Sequence, residues 1–227
     1  MNHKLDKFIY LADVFFKHGY NLYLVGGSAR DYLLNRPFSD FDVATDARPD
    51  EIEVFLPEIK KTFAKFGTVT YEFEKEHFDI ATFRKESCYL DSRHPSQIEF
   101  VKDLKTDYKR RDFTINAIYI DRNLDIYDFG TSLSDLNNIL IRTIGNPEKR
   151  LREDPLRILR AIRFSLVLDF EIEESLVFAI NKYGSKLSEI KNEKIKEEIK
   201  KMKDAGVSIY DIRSEFKKFN VLPGLKI

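Results

Sequence analysis

Two aspartates, Asp40 and Asp42, stand two residues apart in the segment SDFDVAT, which reads as a strand. Residues i and i+2 of a strand share a face, so both carboxylates point together. Side by side they repel unless a cation lies between them. Hard carboxylate oxygens suit Mg²⁺, which keeps several waters and takes substrate phosphates for the rest of its shell. Just upstream, the apolar run Leu22 to Val25 meets Gly26 and Gly27 and then SARDYLL, whose apolar residues have helical spacing. Strand, Gly-Gly, helix is an arrangement that holds phosphate: glycine lets the backbone come close to an anion, and the amides of the helix N-terminus point at it. Either feature alone has a plain reading, a tight turn or a solvated strand edge. In this order they point to metal-assisted phosphoryl or nucleotidyl transfer.

Two later segments carry further chemistry. In RRDFTINAIYID, Arg111, Asp112 and Asn116 combine a donor fork, an acceptor and an amide, or else an interior salt bridge. In REDPLRILRAIRFSLVL, Asp154, Arg157 and Arg160 recur at threes and so share one face of a helix expected to start just after Pro147. Leu156, Leu159, Ile162 and Leu166 take the opposite, apolar side. A carboxylate beside a guanidinium matches the amine donor and ring-nitrogen acceptor that cytosine and adenine present on their Watson–Crick edges, and mismatches uracil and guanine. The plain alternative is an i,i+3 helix salt bridge.

These groups need elements to hold them. Leu5, Phe8, Ile9, Ala12, Phe15 and Phe16 predict an amphipathic helix over 4–17 that packs on a sheet. Strands are expected at 22–25 and through SDFDVAT, a short helix from Arg48-Pro49-Asp50 to Phe55, and paired strands at 68–73 and 77–83. Asp79, in the last of these, could face Asp40 and Asp42 as a third carboxylate, or serve as a partner for Arg84 or Lys75; His77 reads as a strand residue. The polar stretch from Lys85 to Gln97 reads as a loop, followed by a strand at 98–101 and a short helix at 103–110. Asn123 turns a hairpin, 138–143 is a last strand, and helices follow Gly145-Asn146-Pro147, including 171–180 and the charged 191–202.

With 227 residues, 43% of them hydrophobic, the chain can hold an α/β domain and a small helical one. Its 38 basic and 38 acidic residues cancel. That balance is unlike a protein that grips nucleic acid over a broad surface, so RNA contact must rely on local patches. The single cysteine, Cys88, excludes an internal disulfide, and no Cys/His cluster suits zinc. The absence of a signal peptide or membrane-length apolar run gives a cytoplasmic expectation.

GGSARDYLL…SDFDVAT, RRDFTINAIYID and EDPLRILRAIRF together resemble the class II nucleotidyltransferases, that is, the bacterial and eukaryotic CCA-adding enzymes and bacterial poly(A) polymerases. The likeness runs from about Leu22 to Met202, with three separated motifs in order. It implies an α/β, polymerase-beta-like head with a small mixed sheet over 1–146, then an all-helical neck with a truncated body over 147–227. By the same resemblance, Asp40 and Asp42 hold two Mg²⁺ ions and Asp79 joins them in catalysis. Gly26, Gly27, Arg30, Arg111, Asp112 and Asn116 bind nucleotide, Asp154 and Arg157 select its base, and Arg160 and Arg163 meet the triphosphate. YLDSRHP corresponds to the loop that helps the enzyme change nucleotides, and Asp128 with Gly130 to a hinge between head and neck. The implied activity is CCA addition to the tRNA 3′ end from CTP and ATP, releasing pyrophosphate. A-only addition and poly(A) synthesis are the alternatives, with a catalytically idle RNA-binding relative as the reading from another class. In the family, body and tail domains hold the tRNA elbow, whereas about twenty-five residues follow Met202 here. A second copy of the chain, or a second chain, is therefore expected to supply the missing tRNA-binding parts.

Overall fold

The computed structural model describes residues 2–89 and 95–222. The chain forms two compact units. The first holds residues 2–87, 97–111 and 115–133; the second holds 112–114 and 134–222, with the described part of 88–96.

In the first unit the opening amphipathic pattern folds as α1 (Asn2–Lys17), its Phe8, Leu11, Ala12 and Phe15 buried. Then come β1 (Leu22–Leu24), α2 (Gly26–Leu33), β2 (Phe41–Thr45) and α3 (Pro49–Phe55). Next are β3 (Lys60–Phe63), β4 (Thr68–Phe73), β5 (Glu76–Thr82) and most of β6 (Arg84–Tyr89) and of β7 (Pro95–Phe100). α4 (Leu104–Arg110), β8 (Tyr119–Ile120) and β9 (Ile126–Tyr127) complete it. Seven strands make one sheet in the order β3-β4-β5-β2-β1-β8-β9. Only β2 and β5 run parallel in it. Alternation sets what each face carries: Phe41, Val43, Phe78 and Ile80 enter the core with α1, and Asp42 and Asp79 point the other way. Phe41 and Phe78 stack at 4.4 Å between centroids, which ties the two parallel strands together beneath the acidic pair.

The loop expected over 85–97 is corrected: β6 and β7 form a two-stranded sheet of their own. Polar strands have no apolar alternation to reveal them, because their pairing comes from backbone ladders. Of the YLDSRHP element, residues 90–94 lie outside the described residues.

The second unit contains most of α5 (Ser132–Asn137), then β10 (Leu140–Ile141), α6 (Pro147–Glu153) and α7 (Leu156–Leu168). β11 (Glu171–Ile172), α8 (Glu174–Tyr183), α9 (Asn192–Asp204) and α10 (Ile209–Lys218) follow. β10 pairs with β11 in parallel, so the helix expected from Glu171 begins at Glu174, where Glu173 caps it by accepting from the Leu176 N–H. The single helix expected beyond Pro147 is also corrected. It breaks at Asp154-Pro155 into α6 and α7, since a residue before proline is pushed out of the helical region. No helix among the described residues is long and apolar enough to cross a membrane.

Candidate active site

In the first unit, Val25 is extended and Gly26 turns the chain with φ +66° into α2. A Cβ on Gly26 would lie 2.8 Å from Asp42 Oδ2, so the glycine is what lets the turn sit against that carboxylate. The Gly27 N–H donates to Asp42 Oδ2 at 2.9 Å; the anion at this helix start is the chain's own aspartate. Ser28, buried behind it, donates to the Asp40 carbonyl at 2.9 Å and accepts from the Asp42 N–H at 2.7 Å. It thereby stitches α2 to the edge of β2. Sequence reasoning missed Ser28, although its place directly after Gly-Gly was the available signal.

Asp40 lies in the bend just before β2 rather than within the strand. Asp40 nevertheless lines the same cleft as Asp42, a space of about 340 Å³ shared with Gly27, Ser28, Asp31, Pro37, Phe38, Ser39 and Asp79. Asp79 stands directly opposite Asp42 in the parallel register of β5 and β2. Its neighbour is His77 Nε2 at 3.3 Å, while Arg84 bonds to Glu86 and the Phe66 carbonyl. Protein crowding on one side of Asp42 raises its carboxyl, although the other side opens on the cleft. The Gly27 N–H opposes that rise, Asp79 adds to it by like-charge repulsion, and Arg111 and Arg30 oppose it.

Among the described residues there is no group of three or more His, Cys, Asp or Glu side chains that could enclose a metal ion. The donors offered are the carboxylate oxygens of Asp40 and Asp42, with Asp79 alongside. This set fits a hard divalent cation that draws its remaining ligands from water and phosphate, the habit of Mg²⁺.

The two arginines whose charges act on Asp42 are each held by neighbouring side chains. Arg30 donates through Nη1 to Asn116 Oδ1 at 2.7 Å and through Nε and Nη2 to Asp31. Arg111 is held by Asp107 Oδ2, at 3.1 Å from Nε and 3.0 Å from Nη2, and by the Tyr119 hydroxyl at 2.7 Å. Asp107 is fully buried and also accepts from Tyr119, Arg110 and the Arg84 N–H. Burial opposes its charge, but Arg110, Arg111 and the Tyr119 hydroxyl outweigh that and hold its carboxyl at about 2. No chemical motif in the sequence marked Asp107. Asp128 accepts from the N–H groups of Gly130, Ser132 and Leu133 and so fixes the turn that contains Gly130.

The remaining expected residues belong to the second unit. Asp112 bonds Arg160 Nε at 2.7 Å, and against burial the charges of Arg160 and Arg157 hold its carboxyl at about 2. Arg163, partly buried, donates to the buried Glu198 of α9 at 2.7 Å, a pair that joins α7 to α9. Asp154 caps rather than occupies the helix, its Oδ1 accepting from the Leu156 N–H at 3.0 Å. Arg157 is buried, with Nη1 donating to the Arg150 carbonyl at 2.7 Å and Glu153 at 3.2 Å. The expected shared helical face of Asp154 and Arg157 is thus replaced by a cap followed by a buried first-turn arginine.

Comparison with known proteins identifies the family. The chain is 39% identical over 210 residues to the CCA-adding enzyme of Staphylococcus epidermidis, covering 92% of this chain and 52% of that protein. It is 44% identical over 184 residues to that of Enterococcus faecalis, covering 81% and 45%. It therefore spans about half the length of these relatives. The solved Bacillus stearothermophilus CCA-adding enzyme in complex with CTP matches 86% of this chain and 47% of its own, with TM-score 0.79 and 34% identity. The Thermotoga maritima CCA-adding enzyme complexed with tRNA-CCA matches 99% and 54%, with TM-score 0.75 and 28% identity. The polymerase-beta-like nucleotidyltransferase fold follows from the match to the first of these structures. The family model described as Poly A polymerase head domain matches residues 22–142, from β1 through β10, and with more than half of its length matched the chain belongs to that family.

Proposed function

We propose that the chain carries the catalytic portion of a template-independent RNA nucleotidyltransferase that adds C and A to the 3′ end of tRNA from CTP and ATP. The observation that carries this reading is the cleft lined by Asp40, Asp42 and Asp79, with Asp42 held against the Gly26-Gly27 turn. The relatives named as CCA-adding enzymes, solved with CTP and with tRNA, support the choice of substrates.

In this reading the 3′-hydroxyl oxygen attacks the α-phosphate in line, and pyrophosphate leaves with the broken α–β bond. Asp40 and Asp42 would hold Mg²⁺, which when bound supplies charge neutralisation on the phosphates and activation of the hydroxyl. The chain's own residues do the positioning. Ser28 and Gly27 fix the two aspartates, Gly26 lets the turn sit against Asp42, and Arg30 with Asn116 and Arg111 with Asp107 hold positive charge in place. Residues 1–146 act as the catalytic head and 147–227 as the neck that recognises the base. There, the Nη1 edge of Arg157 is occupied by Arg150 and Glu153, leaving the Nε and Nη2 edge as the donor face for a ring nitrogen. Asp154 supplies the acceptor for the exocyclic amine. Asp112, Arg160 and Arg163 are assigned to the ribose and triphosphate.

The test uses tRNAs lacking A, CA or CCA, each incubated with CTP and ATP separately and together. CCA addition requires CTP for the shortest primer and ATP for the last step. Extension only of the primer lacking A would make it an A-adding enzyme, long A tracts a poly(A) polymerase, and binding without incorporation an idle relative.

A further inference from the structure

Lys4, on the first turn of α1, lies outside the matched residues 22–142 and has an arrangement of contacts that surface lysines rarely show. Its Nζ donates to two successive carbonyls, Phe38 and Ser39, at 2.6 Å each. Glu76 Oε2 stands 3.2 Å away on the β4–β5 side. The ammonium lies 4.9 Å from the centroid of the Phe38 ring and 5.4 Å from that of Phe41. Ser39 in turn donates its hydroxyl to Asp40 Oδ2 at 2.9 Å. A continuous chain of contacts therefore runs from Lys4 through Ser39 to the carboxylate of Asp40.

The segment so gripped needs such a hold. Asp40 precedes β2, so no ladder hydrogen bond of the sheet fixes its backbone there, and Phe38 and Ser39 line the cleft beside it. From the α2 side Ser28 holds only the Asp40 carbonyl. From the α1 side a cation bonded to two carbonyls sets the path of the loop and the aim of the Ser39 hydroxyl. Paired carbonyl oxygens and aromatic faces all attract one ammonium, and a side chain with neither donor nor charge would leave both carbonyls without it.

We infer that Lys4 is a positioning residue for the active cleft, acting through Ser39 to aim the Asp40 carboxylate at the divalent cation. The inference rests on the proposed nucleotidyltransferase reading. Its test uses the full chain as wild type and as Lys4→Met, Lys4→Arg, Ser39→Ala, Glu76→Gln and Asp42→Ala. Lys4→Met keeps the aliphatic stem on Phe38 and Phe41 but removes the ammonium. Three quantities are read: Mn²⁺ affinity by electron paramagnetic resonance of the free ion, kcat and KM for CTP on a tRNA primer, and Tm.

Positioning of a ligand carboxylate by its outer partners typically matters about 10-fold or more. Lys4→Met is expected to weaken Mn²⁺ binding and lower kcat by about 10-fold each, with KM for CTP within about 2-fold of wild type and Tm nearly unchanged. Ser39→Ala should shift metal affinity in the same direction, Lys4→Arg should restore part of it, and Glu76→Gln should behave as wild type because the two carbonyl bonds remain. Should Lys4→Met lower Tm, Ser39→Ala decides, since it breaks the same chain of contacts without touching α1. Unchanged Mn²⁺ affinity and kcat in both variants would overturn the inference. Failure of the underlying reading looks different: wild type would then bind no Mn²⁺ and add no nucleotide, or Asp42→Ala would remain active.

Discussion

Replacement of Gly26 by alanine separates two effects that glycine serves at this turn. The backbone there has φ +66°, a conformation that costs an L-residue about 1–2 kcal/mol. The added Cβ would also lie 2.8 Å from Asp42 Oδ2 and 3.1 Å from Asp42 Cβ, distances at which the aspartate must move. Movement breaks the Gly27 N–H bond to the carboxylate, worth about 1.5–3 kcal/mol as a bond to a charged group. The sum is a loss of about 2.5–5 kcal/mol, large against a typical domain stability of about 5–15 kcal/mol. Gly19 supplies the control. It has φ +85°, but nothing lies within 4 Å of the position of its Cβ. Gly19→Ala should therefore lose only the backbone part, about 1–2 kcal/mol, and keep its activity. Urea denaturation measures the stabilities, and CTP incorporation on a tRNA primer, at a temperature where both variants stay folded, measures the site. Gly26→Ala is expected to lose at least about 100-fold in kcat, since a misplacement near 1 Å can cost that much. Equal incorporation by the two folded variants would refute the claim that close approach of the turn holds Asp42 in place.

The other predictions concern separate parts of the molecule. Asp42→Ala should abolish incorporation of every nucleotide while Tm changes little, because relief of the buried charge and of the repulsion from Asp79 offsets the lost Gly27 N–H bond; a folded, active variant would end the two-carboxylate mechanism. Arg157→Ala should cost about 3 kcal/mol in urea denaturation from the lost bonds to Glu153 and the Arg150 carbonyl. In steady-state assays with each of the four nucleotides it should also relax discrimination by about one to two decades, whereas retained preference for C and A would leave Arg157 a purely structural residue. Asp107 and Asp112 both have carboxyls lowered from the ordinary 3.8 to about 2, so their contribution to stability is full above about pH 4 and is lost as pH falls toward 2. That acid limb, about 2 kcal/mol for each group, is read from urea midpoints between pH 6 and 2, and Asp112→Asn should flatten it; an unchanged limb would show that the Arg160 pair is not its source.

Much of the fold lies in short-range pattern. The helical spacing of Phe8, Leu11, Ala12 and Phe15, the alternation through β2 and β5, and the Gly-Gly turn each arise from steric and periodic rules that act over a few neighbouring residues. The break at Asp154-Pro155 was equally local, since proline restricts the residue before it, but the recurrence of Asp154, Arg157 and Arg160 at threes carries a single helix across it. The polar strand β6 and the start of β7 had no pattern to find, because a backbone ladder makes no demand on side-chain type, whereas the end of β7 falls in the strand expected at 98–101.

What the amino-acid order by itself determined is which groups exist and which way they face on their own elements. Asp42 on a strand face, glycine where the chain must turn with positive φ, and a buried apolar side for α7 are all of this kind. Which distant groups meet was decided only by tertiary structure. The parallel register of β2 and β5 sets Asp79 opposite Asp42, the packing of α7 and α9 brings Arg163 against Glu198, and Asp112 finds Arg160 from 48 residues away. Lys4 reaches the carbonyl of Phe38 across 34 residues. A charged side chain carries no local sign of its partner, for the pairing energy appears only after burial and the sheet have brought the two ends together.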